Sequence, residues 1–429
     1  MLLRIVIPLL ILLLLPPYVI DRLSLRHRPQ RWLRWLLWLP AVAVALMLLW
    51  TAATEGYTPA DDRWKGQLLS LAMLLIVPGV LSALTMGIGC GAAWAWRKWG
   101  RALLPAMGEN TVDEKTAGVA TDHAPAPSPQ AVKPRGAGRT TRRMARGVAL
   151  IALAAMIYGL GFGYRRLVVT EYHFADARVP AAFDGYRIVQ LSDLHLGTLA
   201  DKAGVVERMV QQVNALRPDL IVVTGDVVNY QPDEVQPFVS VLKGMKAKDG
   251  VVSVMGNHDY LTYHRWATPA DSTAAIARLQ QTELSMDWHL LLNAHHIVRR
   301  GNDSIAIVGV ENEGRPPFPA RADLGAAMRG LNDGCFRILL SHDPTHWRRA
   351  IVDSTDIPLT LSGHTHGMQF KVGRFSPAAW FYPEWGGAYI AANGQTLHVS
   401  LGVGAVLLPF RLGAWPEINL IVLENKQAQ

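Results

Sequence analysis

Five short clusters in the C-terminal part of the chain carry side chains that ligate metal ions. They are Asp193-Leu-His195, Gly225-Asp226, Gly256-Asn257-His258-Asp259, Ser341-His342-Asp343 and Gly363-His364-Thr-His366. Imidazole nitrogen and carboxylate oxygen together make the ligand set of Zn, Fe or Mn. No cysteine is among them, which disfavours a structural zinc site. The donors outnumber the needs of one ion, whereas two ions about 3.5–4 Å apart and sharing a bridging carboxylate would use them all. Taken singly, each cluster reads equally well as turn and cap residues. The argument for chemistry is that all five recur at the same place relative to the strands.

Each cluster directly follows a short apolar run that reads as a buried strand. The expected strands are 167–174, 186–191, 220–224, 251–255, 305–310, 336–340, 359–361, 396–400 and 418–423, with helical stretches near 203–216, 235–245, 270–281 and 321–331. Strands alternating with helices, then strands alone, predict packed mixed β-sheets flanked by helices. Ligands of such α/β sheets bind beyond the carboxyl ends of the strands, which is where the five clusters fall. The glycines preceding Asp226, Asn257 and His364 allow the sharp turns needed there.

The N-terminal part is of a different kind. Of the chain's 429 residues, 50% are hydrophobic, and the long apolar runs lie ahead of Arg166. They predict spans at 5–20, 35–53, 68–96 and 147–164, the third bent at Pro78. The first has no A-x-A-like cleavage site and is expected to stay uncleaved. The domains are therefore a membrane region over 1–96 with three spans, a basic Ala/Pro-rich linker over 97–146 expected to be disordered, a fourth span over 147–164, and a catalytic domain over 167–425. The net charge is +8. Arginines clustered beside apolar spans point to membrane topology, and no nucleic-acid binding is expected. Positive excess in 21–34 and 97–146 assigns both to the cytoplasm and the catalytic domain to the other side of the cell membrane. The 2 cysteines, Cys90 and Cys335, indicate no disulfide framework.

In this order, D-x-H, G-D, G-N-H-D, S-H and G-H-x-H resemble the calcineurin-like metallophosphoesterase superfamily over about 186–423. The closing stretch Gly402-Val-Gly-Ala, Pro409-Phe-Arg411 and Pro416-Glu417 is similar to its membrane-attached bacterial branch. The resemblance implies a four-layer sandwich, two mixed β-sheets flanked by helices, and a metal-dependent phosphoric ester hydrolase. It implies that Asp193, His195 and His366 bind one divalent ion, that Asn257, His342 and His364 bind another, and that Asp226 bridges them. It makes His258 a non-ligand that contacts phosphate and leaving group. Asp259 is then expected to orient His258, Asp343 to orient His342, and Asn229 to support the metal edge.

Relatives of this branch act on phosphodiester or pyrophosphate bonds in lipids, UDP-2,3-diacylglucosamine among them, so a lipid-linked substrate is the expectation. The alternatives are a tethered nucleotide or small-phosphodiester hydrolase and a non-catalytic membrane binding or sensor module. Trp380, Phe381 and Trp385 lie in a stretch too broken by Pro and Gly for a helix; they are expected to form an apolar rim for lipid, with core packing as the competing reading. His264, His295, His296 and His346 have no matching partner spacing and are expected to be surface or core residues. Metal identity and oligomeric state are not legible.

Overall fold

The computed structural model describes residues 2–25, 32–54, 63–103, 138–200 and 202–426. The middle of the expected linker and the loop at 55–62 lie outside them. The chain divides into two compact units, one of residues 1–57 and 68–155, the other of 58–67 and 156–429.

The first unit is helical. α1 (Leu2–Ile20), α2 (Trp32–Thr54), α3 (Arg63–Leu103) and α4 (Arg139–Gly161) are long and apolar enough to cross a membrane. α3 is unbroken at Pro78, and its 41 residues make about 60 Å of helix, twice a hydrocarbon core. Both ends of the expected linker are therefore helical: α3 runs on to Leu103 and α4 starts at Arg139. Arginine is a good helix former, and the basic flank extends the apolar helix outward.

The second unit holds two six-stranded sheets. One is ordered β1 (Val168–Asp176), β12 (Glu417–Asn425), β2 (Arg187–Leu191), β3 (Leu220–Val223), β4 (Val251–Ser253) and β5 (Trp288–Leu290). The other is ordered β10 (Gly387–Ile390), β11 (Thr396–Val399), β9 (Leu359–Ser362), β8 (Phe336–Leu340), β7 (Asp303–Gly309) and β6 (Ala294–Arg300). Strands β2 to β5 are parallel, as are β7, β8, β9 and β11.

Strand periodicity builds the layers. Ile188, Leu220, Val222, Ile338 and Leu340 share one core with residues of both sheets, so it lies between them. Their neighbours Val189, Ile221 and Val223 face α5 (Ala203–Ala215) and α7 (Pro269–Ser285), while Leu339 packs in a third core with Trp347 and partly buried residues of α8 (Leu324–Met328). The expected four-layer sandwich is thus the observed one. The sequence reading missed β5, β6 and β10, and His295-His296 lies inside β6 rather than ahead of a strand. In the stretch at 235–245 a 3-10 turn over Gln236–Phe238, opened by Pro237, leads into a single α-helical turn, Val239–Leu242.

Candidate metal centre

The carboxyl ends of β2, β3 and β4 in one sheet, and of β8 and β9 in the other, meet at a single edge. Asp193 and His195 follow β2, Asp226 follows β3, Asn257 and His258 follow β4, His342 follows β8, and His364 and His366 follow β9. Asp193, His195, Asp226, His364 and His366 all have left-handed backbone, with φ from 41° to 75°. Non-glycine residues hold that conformation at a cost of roughly 1–3 kcal/mol each, and only where the surroundings impose it. The turns are packed too closely for a side chain at their glycines. A Cβ at Gly225 would lie 2.8 Å from His342 Nδ1, and one at Gly363 would collide with Ser192 Oγ.

The donor atoms fall into two halves. In the first, His366 Nε2 lies 3.1 Å from His195 Nε2 and 3.2 Å from Asp193 Oδ1. In the second, His342 Nε2 lies 3.2 Å from Asp226 Oδ2 and 3.2 Å from Asn257 Oδ1, which is 2.7 Å from His364 Nδ1. Asp226 Oδ2 is also 3.6 Å from His195 Nε2, so it borders both halves. Two ligands held at about 2.0–2.1 Å from one ion are separated by roughly 3.0–3.4 Å, and most of these spacings match. Seven donors converging on buried ground, with no Lys or Arg side chain among them in the described residues, fit divalent ions. Charge says the same. Burial alone would depress the His342 imidazole, yet Asp226 and Asp193 pull it up to about 10. Asp193 and Asp226 are held below the usual carboxylate range despite burial, by His366 and His342 respectively. The two carboxylates thus create a potential that demands positive charge.

The outer nitrogens of several imidazoles are held as well, whereas His195 Nδ1 is buried with no hydrogen-bond partner among the described residues. His342 Nδ1 donates to the Thr224 carbonyl (2.7 Å). His364 Nε2 meets Tyr382 Oη at 2.9 Å and Asp343 Oδ2 at 3.7 Å. His258 Nδ1 donates to the Asn229 carbonyl (2.7 Å), leaving Nε2 for the cluster; His195, Asp226 and His258 also bring ligand atoms within 4.8 Å of one another. The Asn229 side chain is tied to Thr198, and its carbonyl accepts from His258 Nδ1.

Two expected partnerships are corrected. Asp259 does not orient His258; it accepts from the backbone N–H of Asp226, Val227, Val228 and Gly256, and so holds the Asp226 turn. Burial first, then Asp226, raises its pKa to about 7. Asp343 faces His364, not His342, because His342 already spends Nδ1 on a carbonyl inside the sheet edge.

Three further residues escaped the sequence reading. Tyr263 Oη accepts from Asn257 Nδ2 (2.9 Å), turning Oδ1 inward, and its ring lies 4.3 Å from that of His258. Tyr382 holds His364. Arg411, quoted only within the closing pattern, is fully buried, with Nη2 3.1 Å from His366 Nδ1. The first two come from loops without a motif; only the Pro-Phe-Arg pattern signalled the third. Among the expected rim residues, Trp380 is 73% and Phe381 61% exposed. Trp385 is not rim: it is half-buried against Gly367, and its carbonyl accepts from Thr365. The bland reading holds for the remaining histidines. His346 bonds Ser341, His295 bonds a carbonyl, His264 lies tilted against Trp266 and His296 stacks on His289.

A two-sheet sandwich with Asp, Asn and His donors converging from five strand ends defines a metal-dependent hydrolase of phosphoric esters. Residues 186–368 match the family model of the calcineurin-like phosphoesterases, and residues 3–164 match that of a probable calcineurin-like phosphoesterase transmembrane domain. The chain is 31% identical over 296 residues to the uncharacterized metallophosphoesterase YkuE of Bacillus subtilis, covering 64% of this chain and 94% of that one. It belongs to the calcineurin-like metallophosphoesterases. A transmembrane protein with metallophosphoesterase domain from Danio rerio is 31% identical over 286 residues, covering 65% of this chain and 62% of that protein, so the chain spans less than two thirds of that relative. Among solved structures, the phosphopantetheinyl hydrolase PptH of Mycobacterium tuberculosis aligns over 51% of this chain and 89% of that one at 16% identity, with a TM-score of 0.32.

Proposed function

We propose that this membrane-associated metallophosphoesterase holds two divalent ions and hydrolyses a phosphodiester or pyrophosphate bond in a lipid-linked substrate. Asp193, His195 and His366 would hold one ion and Asn257, His342 and His364 the other, with Asp226 between the two halves. Mn, Fe and Zn all suit these donors. Such ions, when bound, supply Lewis acidity that activates water near neutral pH and neutralises the phosphoryl oxygens. The chain's own residues do the rest. Asp226 fixes the separation of the two halves, its Oδ1 pinned by the His258 backbone N–H at 2.8 Å. Asn257 contributes a neutral oxygen, so the centre keeps enough positive potential to accept an anion. As an imidazolium, with Nδ1–H kept on the Asn229 carbonyl, His258 would present Nε2–H to the leaving oxygen and hand it that proton, ending as the neutral ring.

The observation behind the lipid reading is the pair Trp380 and Phe381. Both are mostly exposed, and Tyr382, the next residue, reaches His364. Val372 and Phe375 are exposed nearby in sequence, among the cations Lys371 and Arg374. Aromatic and basic side chains together favour the headgroup layer of a bilayer. The tether is short as well: only residues 162–167 separate α4 from β1. The arginine distribution supports the reading that the domain lies on the non-cytoplasmic side of the cell membrane. Alkaline phosphatase fused after Gln429 should then be active and a fluorescent protein dark; the reverse would overturn that side.

The deciding experiment compares substrates on the full-length protein. Substituting Trp380 and Phe381 with Ser should raise the apparent KM for lipid-linked pyrophosphate in bilayers, with UDP-2,3-diacylglucosamine as one probe, about tenfold or more. Turnover of a small soluble phosphodiester should stay within twofold. Equal effects on both would favour a tethered hydrolase of small phosphodiesters. No hydrolysis of any phosphoester by the Mn²⁺-loaded wild type would favour a binding module.

A further inference from the structure

The loop from Leu401 to Trp415 touches two things at once. On one side it lies against the first half of the centre. Val403 N–H donates to Ser192 O (2.9 Å) and Gly404 N–H to Asp193 O (2.7 Å). Gly402 is left-handed (φ 75°), and a Cβ there would lie 2.7 Å from Asp193 Cβ, while one at Gly404 would collide with Leu194 O. On the other side the loop grips the end of the fourth apolar helix. Arg411 N–H donates to Gly159 O (3.3 Å), and the Phe410 ring lies so close over Gly159 that any side chain there would strike it. A Cβ at Gly163 would collide with the Arg411 carbonyl, and Trp415 meets Tyr158 edge-on. Residues 156–161 of α4 belong to the same compact unit as the catalytic domain.

Arg411 joins the two sides. Its backbone holds the helix end; its side chain turns inward and is wholly buried. Nε and Nη2 donate to Gly404 O, Nη2 also to Gly402 O, and Nη1 to Leu401 O and Ala414 O. Nη2 packs 3.1 Å from His366 Nδ1 and fixes the ring, so that Nε2 faces Asp193 and His195. A buried guanidinium costs several kcal/mol to desolvate, and here its donors are spent on carbonyls of one loop, beside one imidazole. No carboxylate bonds it directly, so packing strength alone does not account for its presence.

We propose that Arg411 is a positioning residue that couples the seated end of the fourth membrane helix to the Asp193–His195–His366 half of the centre. Seating of Gly159 under Phe410 fixes the backbone of Arg411; the guanidinium then fixes both the loop over Asp193 and the ring plane of His366. A displaced helix end loosens this half and leaves the Asp226–Asn257–His342–His364 half as it was. The inference rests on the two-ion reading given above.

The test is Mn²⁺ titration of the purified full-length protein in nanodiscs, following stoichiometry, the two dissociation constants and the electron paramagnetic signal of a spin-coupled Mn pair. Arg411→Ala should weaken one ion by about 10–100-fold, as loss of a residue supporting a metal ligand does, and abolish the coupled signal while the second ion stays within threefold. Arg411→Lys should recover part of the loss. Gly159→Leu, far from any donor atom, should reproduce the selective loss, and adding Phe410→Ala to it should restore two ions. That rescue separates coupling from a failure to fold. Unchanged titration in Arg411→Ala or Gly159→Leu overturns the proposal, and so does equal loss of both ions without rescue by Phe410→Ala. A wild type that binds a single Mn²⁺ would instead remove the two-ion reading beneath it.

Discussion

The two halves of the centre each join two histidines to one side-chain oxygen, from Asp193 in the first and Asn257 in the second, and are braced in opposite ways. Asp193, His195 and His366 are deeply buried and backed by main chain: the glycine-rich loop after β11 lies on Asp193, and Arg411 holds His366. Around Asn257 and His364 the support comes from side chains on loops, Tyr263, Tyr382 and Asp343. Phe318 meets the His364 ring edge-on at 4.9 Å. The first half is a fixed seat. The second has an adjustable wall of loop side chains, bordered by the exposed Trp380 and Phe381, and under the function proposed above a phosphoester with a large attached group would enter there. Rigidity close to the backbone and adaptability close to solvent are what a hydrolase needs when its reacting group is constant and its substrate's remainder is bulky.

Asp226→Asn should have the largest effect, because Asp226 is the residue the halves share. We expect kcat/KM to fall at least about 10³-fold, with both ions weakened. Metal analysis alongside kinetics checks it; loss of one ion only would mean that the halves are independent sites. His258→Ala comes next. It should cost about 10²–10⁴ in kcat, the usual worth of a general acid, with ion content unchanged. A drop in ion content would make His258 a ligand, an outcome that its grouping with His195 and Asp226 keeps open to test. A smaller effect belongs to the adjustable wall. Tyr382→Phe removes the hydroxyl on His364 Nε2 and should weaken one ion by about tenfold, lowering kcat by less than that. If Tyr382→Phe and Arg411→Ala weaken the same ion in metal titrations, the division into a fixed and an adjustable half is wrong.

Much of this centre was legible because the donors lie at strand ends and strands are short, apolar and β-branched. The run Phe336–Leu340 leads straight to His342, and period-2 burial assigns its faces without further information. What failed was anything set by long-range contact. Asp259 was expected on the next residue's ring and is found holding the turn at 226–228, which the sequence separates from it by some thirty positions. Asp343 was expected on its neighbour His342 and faces His364 instead. Adjacency in sequence suggested both partners; the crossing of two sheets supplied different ones. β5, β6 and β10 were missed because they are short or polar: Trp288–Leu290 has three residues, and Ala294–Arg300 carries two histidines and two arginines. Arg411 could be read only as a letter in a pattern, since the burial of a guanidinium depends on carbonyls that the folded loop alone brings together.

The smallest expected effect concerns what lies behind the second half. Arg411 supports the first half with a group that burial lowers only to about 10, so that brace stays charged through neutral pH. The second half instead rests on buried acids. Glu283 on α7 is completely buried, its Oε2 2.6 Å from Ser253 Oγ at the end of β4. Burial, and then the nearby Asp259 carboxylate, raises its pKa to about 8. Because that folded-state value lies above the unfolded one, the native protein binds the extra proton. The stability this contributes is complete below about pH 4.5, the unfolded value, and is lost as pH rises through about 8. Glu283→Gln keeps the shape and the bond to Ser253 but cannot ionise. Thermal unfolding of the full-length protein in detergent should therefore show wild type losing on the order of 5 °C more than the variant between pH 5 and pH 9, since each kcal/mol is worth about 2–4 °C in a domain of this size. Parallel curves would mean that Glu283 is ionised throughout and compensated by a partner. The pH contrast between the two halves would then rest on Asp259 alone, the acid that holds the Asp226 turn itself.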